Sequence, residues 1–284
     1  MTAEFSVGLR FLIASVVVEG YRRLFDSEKV KLTLSDIQLI VLQGVFLYSL
    51  NIWLCYYSSF YIVSGLIAVT VSTMIIPNLI FGKIFLGIPL RYQTVAGAFL
   101  GILGVFILFI QEVFTLPDGL NLLTGFLLAF SSTFFSVIGT QVSGKLAKRG
   151  IPILFSISRA LLIGAFLSIG VSLLKDGIPL FPHAVPFWTS LLYLGIISSA
   201  ASYTLYGYLI KKYGPGVASY LWIASPAISL ALSTFCEGYG WTVFSSIGII
   251  LIIIGGILTG LQLSLWTALR GKEWVRFFSK KAFP

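Results

Sequence analysis

The sequence is poor in charged residues, histidine and cysteine, and each shortage excludes a class of protein or site. Charged residues make up 10% of the 284 residues, against 57% for hydrophobic ones. A soluble protein of this length would carry far more charge. The only histidine, His183, cannot build a histidine-based metal centre. The sequence also lacks an HExxH motif, a phosphate-binding loop and a cysteine–histidine set, so we predict no enzyme, no cofactor and no metal site.

The centres of the long apolar segments also lack acidic residues. All ten acidic residues lie in loops or towards segment ends, and Glu19 and Glu237 mark the ends of two segments. A proton-coupled exporter of cations usually needs a titrating carboxylate at depth in the membrane. This shortage argues against such an exporter and leaves the coupling ion open.

Long apolar segments dominate what remains. Segments of about 17–25 residues can cross a bilayer. Nine are present, at about 5–21, 36–57, 62–82, 92–111, 122–143, 153–174, 187–210, 217–236 and 242–266. We therefore predict an all-α polytopic membrane protein of about nine transmembrane helices in a single bundle.

Basic residues lie almost entirely on one side of the predicted membrane. Alternate loops and the C-terminal tail hold 16 of the 19 Lys and Arg residues, whereas the opposite loops hold only Lys175. Because basic loops stay in the cytoplasm, we predict a plasma- or inner-membrane protein with a cytoplasmic C-terminus. The basic cytoplasmic loops and tail then explain the net charge of +9, and no nucleic-acid partner is expected. The basic tail, 267–284, is predicted to lie at the headgroup layer, or alternatively to bind a partner.

Two rare residue types recur at one spacing. Arg10 and Arg159 are the only arginines within apolar segments, and Pro77 and Pro226 are the only prolines deep within them; each pair is 149 residues apart. The third and eighth segments are separated by an odd number of crossings, so the two halves run in opposite directions. The sequence therefore predicts an inverted repeat, with its halves at 1–113 and 122–266.

The two prolines carry the main functional hypothesis. A proline within a helix removes one backbone hydrogen bond and kinks the helix. In lipid the freed carbonyl needs a partner from protein, polar side chains or water. Two such helices at equivalent places indicate a binding site between the halves; the alternative is a kink that only serves packing.

Glycines recur on one face of the last segment of each half. Gly97, Gly101 and Gly104 share a helix face, as do Gly248 and Gly255, seven residues apart. Small residues let helices approach closely in lipid. We interpret these glycines as structural.

Several stretches resemble a known family. The runs SGLIAVTVSTMIIPNLIFGKIFLG and GPGVASYLWIASPAISLALSTFCEG resemble a helix of an EamA-type repeat in the drug/metabolite transporter superfamily. SVGLRFLIAS, with Arg10, resembles the second helix of that repeat. The resemblance implies two inverted five-helix repeats and a small-molecule transporter, commonly an exporter of metabolites or amino acids. The glutamate usual after the proline helix is matched loosely by Glu237, and Ile88 stands in its place in the first half.

One helix of that plan is missing. If the first segment matches the sixth, the fifth has no counterpart, so the first repeat lacks its first helix. Asn51 and Asn78 would then face hydrocarbon, which costs several kcal/mol for each unsatisfied group. We expect an upstream helix, a second copy in a homodimer, or neighbouring helices to fill the gap.

By the resemblance, several spans line a central cavity that takes a small-molecule substrate. Aromatic walls with a few hydrogen-bonding groups suit amphipathic small molecules, although such residues also serve helix packing. The candidate lining residues are Asn51, Tyr57, Thr73, Pro77, Asn78, Gln141, Tyr203, Tyr206, Trp222, Ser225 and Pro226.

The intramembrane charges Arg10 and Arg159 are costly in a bilayer. We expect both in the outer half of their spans, where they can extend to the interface. With no acidic residue at mid-membrane, backbone carbonyls or water are the expected partners. A structural role is favoured over contact with an anionic substrate.

The resulting prediction is a secondary transporter that exports a small neutral or amphipathic metabolite, such as an amino acid. One alternative is an antiporter or importer of anionic sugar conjugates, with Arg10 and Arg159 as a charge clamp. The other is a membrane partner that transports nothing because a helix is missing.

The charge asymmetry predicts topology directly. Reporter fusions at Asp118 and at Lys148 should report opposite sides of the membrane, with Lys148 in the cytoplasm. Reporters on the same side at both positions would contradict nine spans.

Overall fold

The computed structural model describes residues 2–25, 30–62, 64–110, 122–177, 184–237 and 241–269. In these ranges the chain is helical, without strands, and its nine helical segments match the nine predicted spans. They are α1 (Ala3–Phe25), α2 (Leu34–Ser58), α3 (Ser64–Ser72 with Ile75–Leu86), α4 (Tyr92–Leu108), α5 (Leu122–Lys148), α6 (Ile153–Asp176), α7 (Val185–Tyr213), α8 (Pro215–Ala218 with Tyr220–Glu237) and α9 (Val243–Leu269).

The predicted all-α polytopic architecture is confirmed. Five helices, α2, α3, α5, α6 and α7, are long and apolar enough to cross a membrane, and shorter apolar helices occupy Tyr92–Leu108 and Val243–Thr259. The predicted basic tail lies outside the described residues, apart from the last residues of α9.

The helices α4 and α9 pack antiparallel at their glycine faces; the glycine spacing predicted close packing at these faces but not that they pack against each other. A Cβ atom added to Gly104 would lie 2.7 Å from the carbonyl oxygen of Gly248, and one added to Gly97 would lie 2.6 Å from that of Gly255. Real Cβ atoms are not found this close to backbone oxygens, so only glycine permits this helix separation.

The helices α1 and α6 form a second antiparallel pair, with an ion pair towards each end. Lys175 lies 3.3 Å from Glu4 at one end, and Arg159 lies 3.3 Å from Glu19 towards the other. Between them, buried Phe11, Ala14, Leu161 and Ala165 belong to one apolar core. Both α1·α6 and α4·α9 join the first half of the chain to the second.

Each half contains a helix with a widened, π-helical turn. These segments are Phe46–Leu50 in α2 and Leu194–Ala201 in α7. Phe46 and Gly195 are 149 residues apart, the spacing of the paired arginines and prolines. A rare backbone feature thus recurs at equivalent positions, as an internal repeat requires.

Both proline-containing helices are interrupted. Because Pro77 has no N–H, it cannot bond the carbonyl of Thr73, and the N–H of Ile76 bonds that carbonyl instead, at 3.2 Å. Helix α3 accordingly divides between Ser72 and Ile75. Helix α8 is interrupted at Ser219, seven residues before Pro226.

The close α4·α9 contact predicts sensitivity to side-chain size. Gly104→Leu should lower the free energy of unfolding by about 3 kcal/mol, because the helices must separate. Gly170→Leu is the matched control, since a Cβ there meets nothing within 4 Å. Thermal unfolding of both variants in detergent tests this, and equal midpoints would contradict it.

Candidate functional site

A cavity of about 420 Å³ opens at one end of the bundle. We call this the basic end, because Arg91, Lys148, Lys211 and Lys212 line the cavity there. The cavity lies among the ends of α3, α4, α5, α7, α8 and α9, and much of its wall is apolar. These apolar lining residues include Leu79, Leu86, Ile88, Ile210, Pro215 and Val217.

Asn78 contributes the polar floor of this cavity. It follows Pro77 on the second piece of α3 and is fully buried. Its Nδ2 donates to Ser219 Oγ at 2.7 Å, and its Oδ1 accepts from Thr140 Oγ1 at 2.8 Å and Gln141 Nε2 at 2.9 Å. These bonds, which we call the Asn78 network, join α3 to α5 and to the interruption of α8.

The donors and acceptors of the Asn78 network fix its orientation. Ser219 Oγ donates to the carbonyl of Pro215 at 2.6 Å, which leaves its lone pairs for Asn78. Gln141 Nε2 also donates to the backbone carbonyl of Asn78, at 3.1 Å. Within the described chain, Gln141 Oε1 is then a buried acceptor without a donor. The network therefore keeps one hydrogen-bonding position unused, next to the cavity floor.

Four of the predicted lining residues gather around this network. Asn78 and Gln141 belong to it, and the Tyr206 hydroxyl lies 3.4 Å from Ser219 Oγ. The Tyr206 and Trp222 rings meet edge to face, with centroids 6.0 Å apart. Of the predicted set, only Asn78 lines the cavity wall itself in the described chain.

The other predicted residues lie elsewhere. Asn51 Oδ1 accepts from Ser132 on α5, and Tyr203 packs edge to face against Tyr48. Thr73 donates to the backbone carbonyl of Thr70. Pro77 and Pro226 are half-buried, and Ser225 is exposed.

Tyr57 lies at the opposite end of the bundle from the cavity. Its hydroxyl donates to Glu4, and Lys175 Nζ approaches the Tyr57 hydroxyl at 3.1 Å and Glu4 Oε1 at 3.3 Å. Tyr57 and Tyr206 are 149 residues apart, so an inverted repeat places them at opposite ends. Tyr57 therefore cannot share one site with Tyr206.

The expectation that both arginines lie in the outer half of their spans is wrong, because the two residues lie towards opposite ends of the bundle. Arg159 lies near the start of α6, beside the basic loop, and bonds Glu19 at 3.3 Å, whereas Arg10 lies in the first part of α1, which runs antiparallel to α6. Arg10 bonds side-chain hydroxyls, with Nε 2.6 Å from Ser199 Oγ and Nη2 3.1 Å from Ser198 Oγ. Neither lines the cavity. Side chains, not backbone carbonyls, are thus the partners.

The basic residues at the cavity were missed as site residues. The sequence interpretation used Arg91, Lys148 and Lys211 only as indicators of topology. No local pattern shows that they converge, because they come from three separate helix ends. Their convergence depends on the packing of α4, α5 and α7.

Comparisons with known proteins agree with this fold. Residues 123–261 match the family described as the EamA-like transporter family, which confirms the resemblance. Twenty-eight chains of solved structures match. One crystal structure has a TM-score of 0.78 at 16% identity, covering 92% of this chain and 90% of its own; that likeness concerns the fold alone. No curated protein matches the chain.

The Asn78 network predicts a stability effect. Asn78→Ala removes three side-chain hydrogen bonds from a buried site and should cost about 2–3 kcal/mol of unfolding free energy. Asn51→Ala is the control, since Ser132 keeps a bond to the Asn51 backbone carbonyl. Thermal unfolding in detergent measures both, and a larger loss for Asn51→Ala would contradict the network's importance.

Proposed function

We propose that this chain, an EamA-like membrane transporter by the match over residues 123–261, exports a small neutral or amphipathic metabolite such as an amino acid. The cavity at the basic end is the proposed entry site. Its volume of about 420 Å³ lies in the range of small-molecule sites, and its apolar walls and polar floor suit an amphipathic molecule. This combination is the observation that carries the proposal.

The floor of the cavity gives a physical reason for movement at this site. One hydrogen bond joins Asn78, on the second piece of α3, to Ser219, at the interruption of α8. Helices with missing backbone bonds bend more easily than intact ones. A substrate that offers its own donors and acceptors can replace bonds of the Asn78 network, including the unused acceptor Gln141 Oε1. During passage, each hydrogen bond that the network loses is then replaced by one to the substrate.

The outward direction rests on the resemblance to the EamA-type family, and the two ends of the bundle suggest the route. At the opposite end, Glu4, Tyr57 and Lys175 tie together α1, α2 and α6. The cavity instead opens among basic residues, which the positive-inside rule assigns to the cytoplasm. A molecule would thus enter from the cytoplasm, and release requires the Glu4–Tyr57–Lys175 contact to separate.

Two alternatives lead to different results. An importer of anionic sugar conjugates with Arg10 and Arg159 as a clamp is not supported, because these residues bond Ser199 and Glu19 in separate places. A membrane partner without transport activity would show no flux for any substrate in liposomes. A panel of amino acids and other metabolites, tested with the purified chain in liposomes, separates this alternative from export.

Narrowing the cavity tests whether it is the pathway. Gly82 lines it, and a Cβ there would meet no atom closer than 3.9 Å. Gly82→Leu should therefore fill space without disturbing the backbone and reduce flux of any transported metabolite about tenfold or more.

Gly170→Leu provides the same substitution at an open position away from the cavity and should keep wild-type flux. Thermal midpoints of both variants should stay near that of the wild type. Unchanged flux in Gly82→Leu would exclude this cavity as the route.

A further inference from the structure

We propose that Arg91, Lys148 and Lys211, here called the mouth cluster, bind an oxyanion, a carboxylate or a phosphate. On the proposed function, this is the anionic group of the transported molecule. The inference deepens that function by naming a chemical group, and it can be tested by binding without transport.

The mouth cluster is assembled from three helix ends. Arg91 precedes the first residue of α4, Lys148 ends α5, and Lys211 lies in the last turn of α7. All three line the same cavity, together with Lys212. Lys148 Nζ also donates to the carbonyl of Leu86, the last residue of α3, which holds this side chain at the mouth. Cations from different helices can contact one anion from several directions.

Within the described chain, the two carboxylates at the basic end are paired with arginines away from the cavity. Glu19 pairs with Arg22, Arg23 and Arg159, and Asp36 pairs with Arg149. No acidic residue is among the cavity-lining residues of the described chain. The positive charge at the mouth therefore has no carboxylate beside it in the cavity, and an anion that enters supplies one.

Topology alone does not explain this arrangement. The positive-inside rule accounts for basic residues at this end, but it does not select those that line a cavity. Lys83 and Lys145 are exposed at the same end and do not line it. They have the same charge and side, which makes them matched controls.

The position of the cluster defines the shape of the ligand. The oxyanion lies at the mouth, where arginine offers paired donors and lysine a point charge. The body of the molecule lies against Leu79, Ile210 and Val217, above the floor at Asn78. A compact carboxylate or phosphate ester with an apolar body satisfies all three regions. An amino acid with an apolar side chain offers such a carboxylate and such a body.

An oxyanion at this depth can come from a soluble molecule or from a lipid headgroup. Matched probes distinguish charge from shape: benzoate against benzamide, and phenyl phosphate against phenol. Binding is measured on the full chain by thermal shift in an uncharged detergent. It is measured again in nanodiscs of phosphatidylcholine, with and without phosphatidylglycerol.

We expect benzoate or phenyl phosphate to stabilise the protein and their uncharged matches to have little effect. Arg91→Gln and Lys211→Gln should each weaken this binding about tenfold, the loss of one charge-assisted contact. Lys83→Gln and Lys145→Gln should leave it unchanged. Loss of benzoate binding only in phosphatidylglycerol nanodiscs would identify a lipid headgroup as the competing source of the same oxyanion.

Two results would overturn the inference: equal binding of charged and uncharged probes, including no binding of either, or equal weakening by Lys83→Gln and Lys211→Gln. All variants lie at exposed positions, and gel filtration checks that they fold. Anion binding without flux in liposomes would contradict the proposed export and leave the mouth cluster supported. Flux that persists without anion binding would contradict the mouth cluster as an anion site and leave the proposed export supported.

Discussion

The structure depends first on the need to satisfy every polar group without water. A hydrocarbon interior offers no hydrogen bonds, so each backbone or side-chain group must find a partner in the protein. Pro77 has no N–H and cannot bond the Thr73 carbonyl. Helix α3 is interrupted there, and the N–H of Ile76 bonds that carbonyl instead. Asn78 then places its amide between α5 and α8, where all its strong donors and acceptors are used. The polar floor of the cavity is thus a consequence of the broken helix beside it.

Close packing elsewhere restricts where the bundle can change shape. The glycines of α4 and α9 bring two backbones into contact, and such contacts allow little sliding. The pair α1·α6 carries ion pairs towards both ends. These pairs connect the two halves as a frame, while the interrupted helices α3 and α8 meet through side-chain bonds. The cavity ends where these side-chain bonds of the Asn78 network join the interrupted helices.

Much of the fold follows from the sequence because membrane helices obey strong local rules. Span lengths, the glycine faces and the 149-residue spacing all reflect one-dimensional patterns. The misassignment of Arg159 had a different cause: in an inverted repeat, equivalent residues lie at opposite ends of the bundle, so Arg10 and Arg159 cannot share a side. The same geometry separates Tyr57 from Tyr206. The convergence of Arg91, Lys148 and Lys211 could not be predicted, because it depends on how three helix ends pack in space.

The helix without a counterpart explains how an uneven repeat avoids exposed polar groups. Helix α5 supplies Ser132 to Asn51, and Thr140 and Gln141 to Asn78. A neighbouring helix thus gives both asparagines partners, one of the three ways in which we expected the gap to be filled. In the second half, the equivalent helix α7 is less buried within the described chain than α2 is.

The exposed surface between α7 and α8 is suited to lipid. The shallow groove there is lined largely by apolar residues, among them Leu209, Ala218, Leu221 and Ala224. Exposed Ser202 donates to the carbonyl of Ile197 on its own helix, a bond that needs no neighbouring helix. Within the described chain, the side-chain hydrogen bonds that α5 provides to the first half are therefore concentrated on the side that it covers.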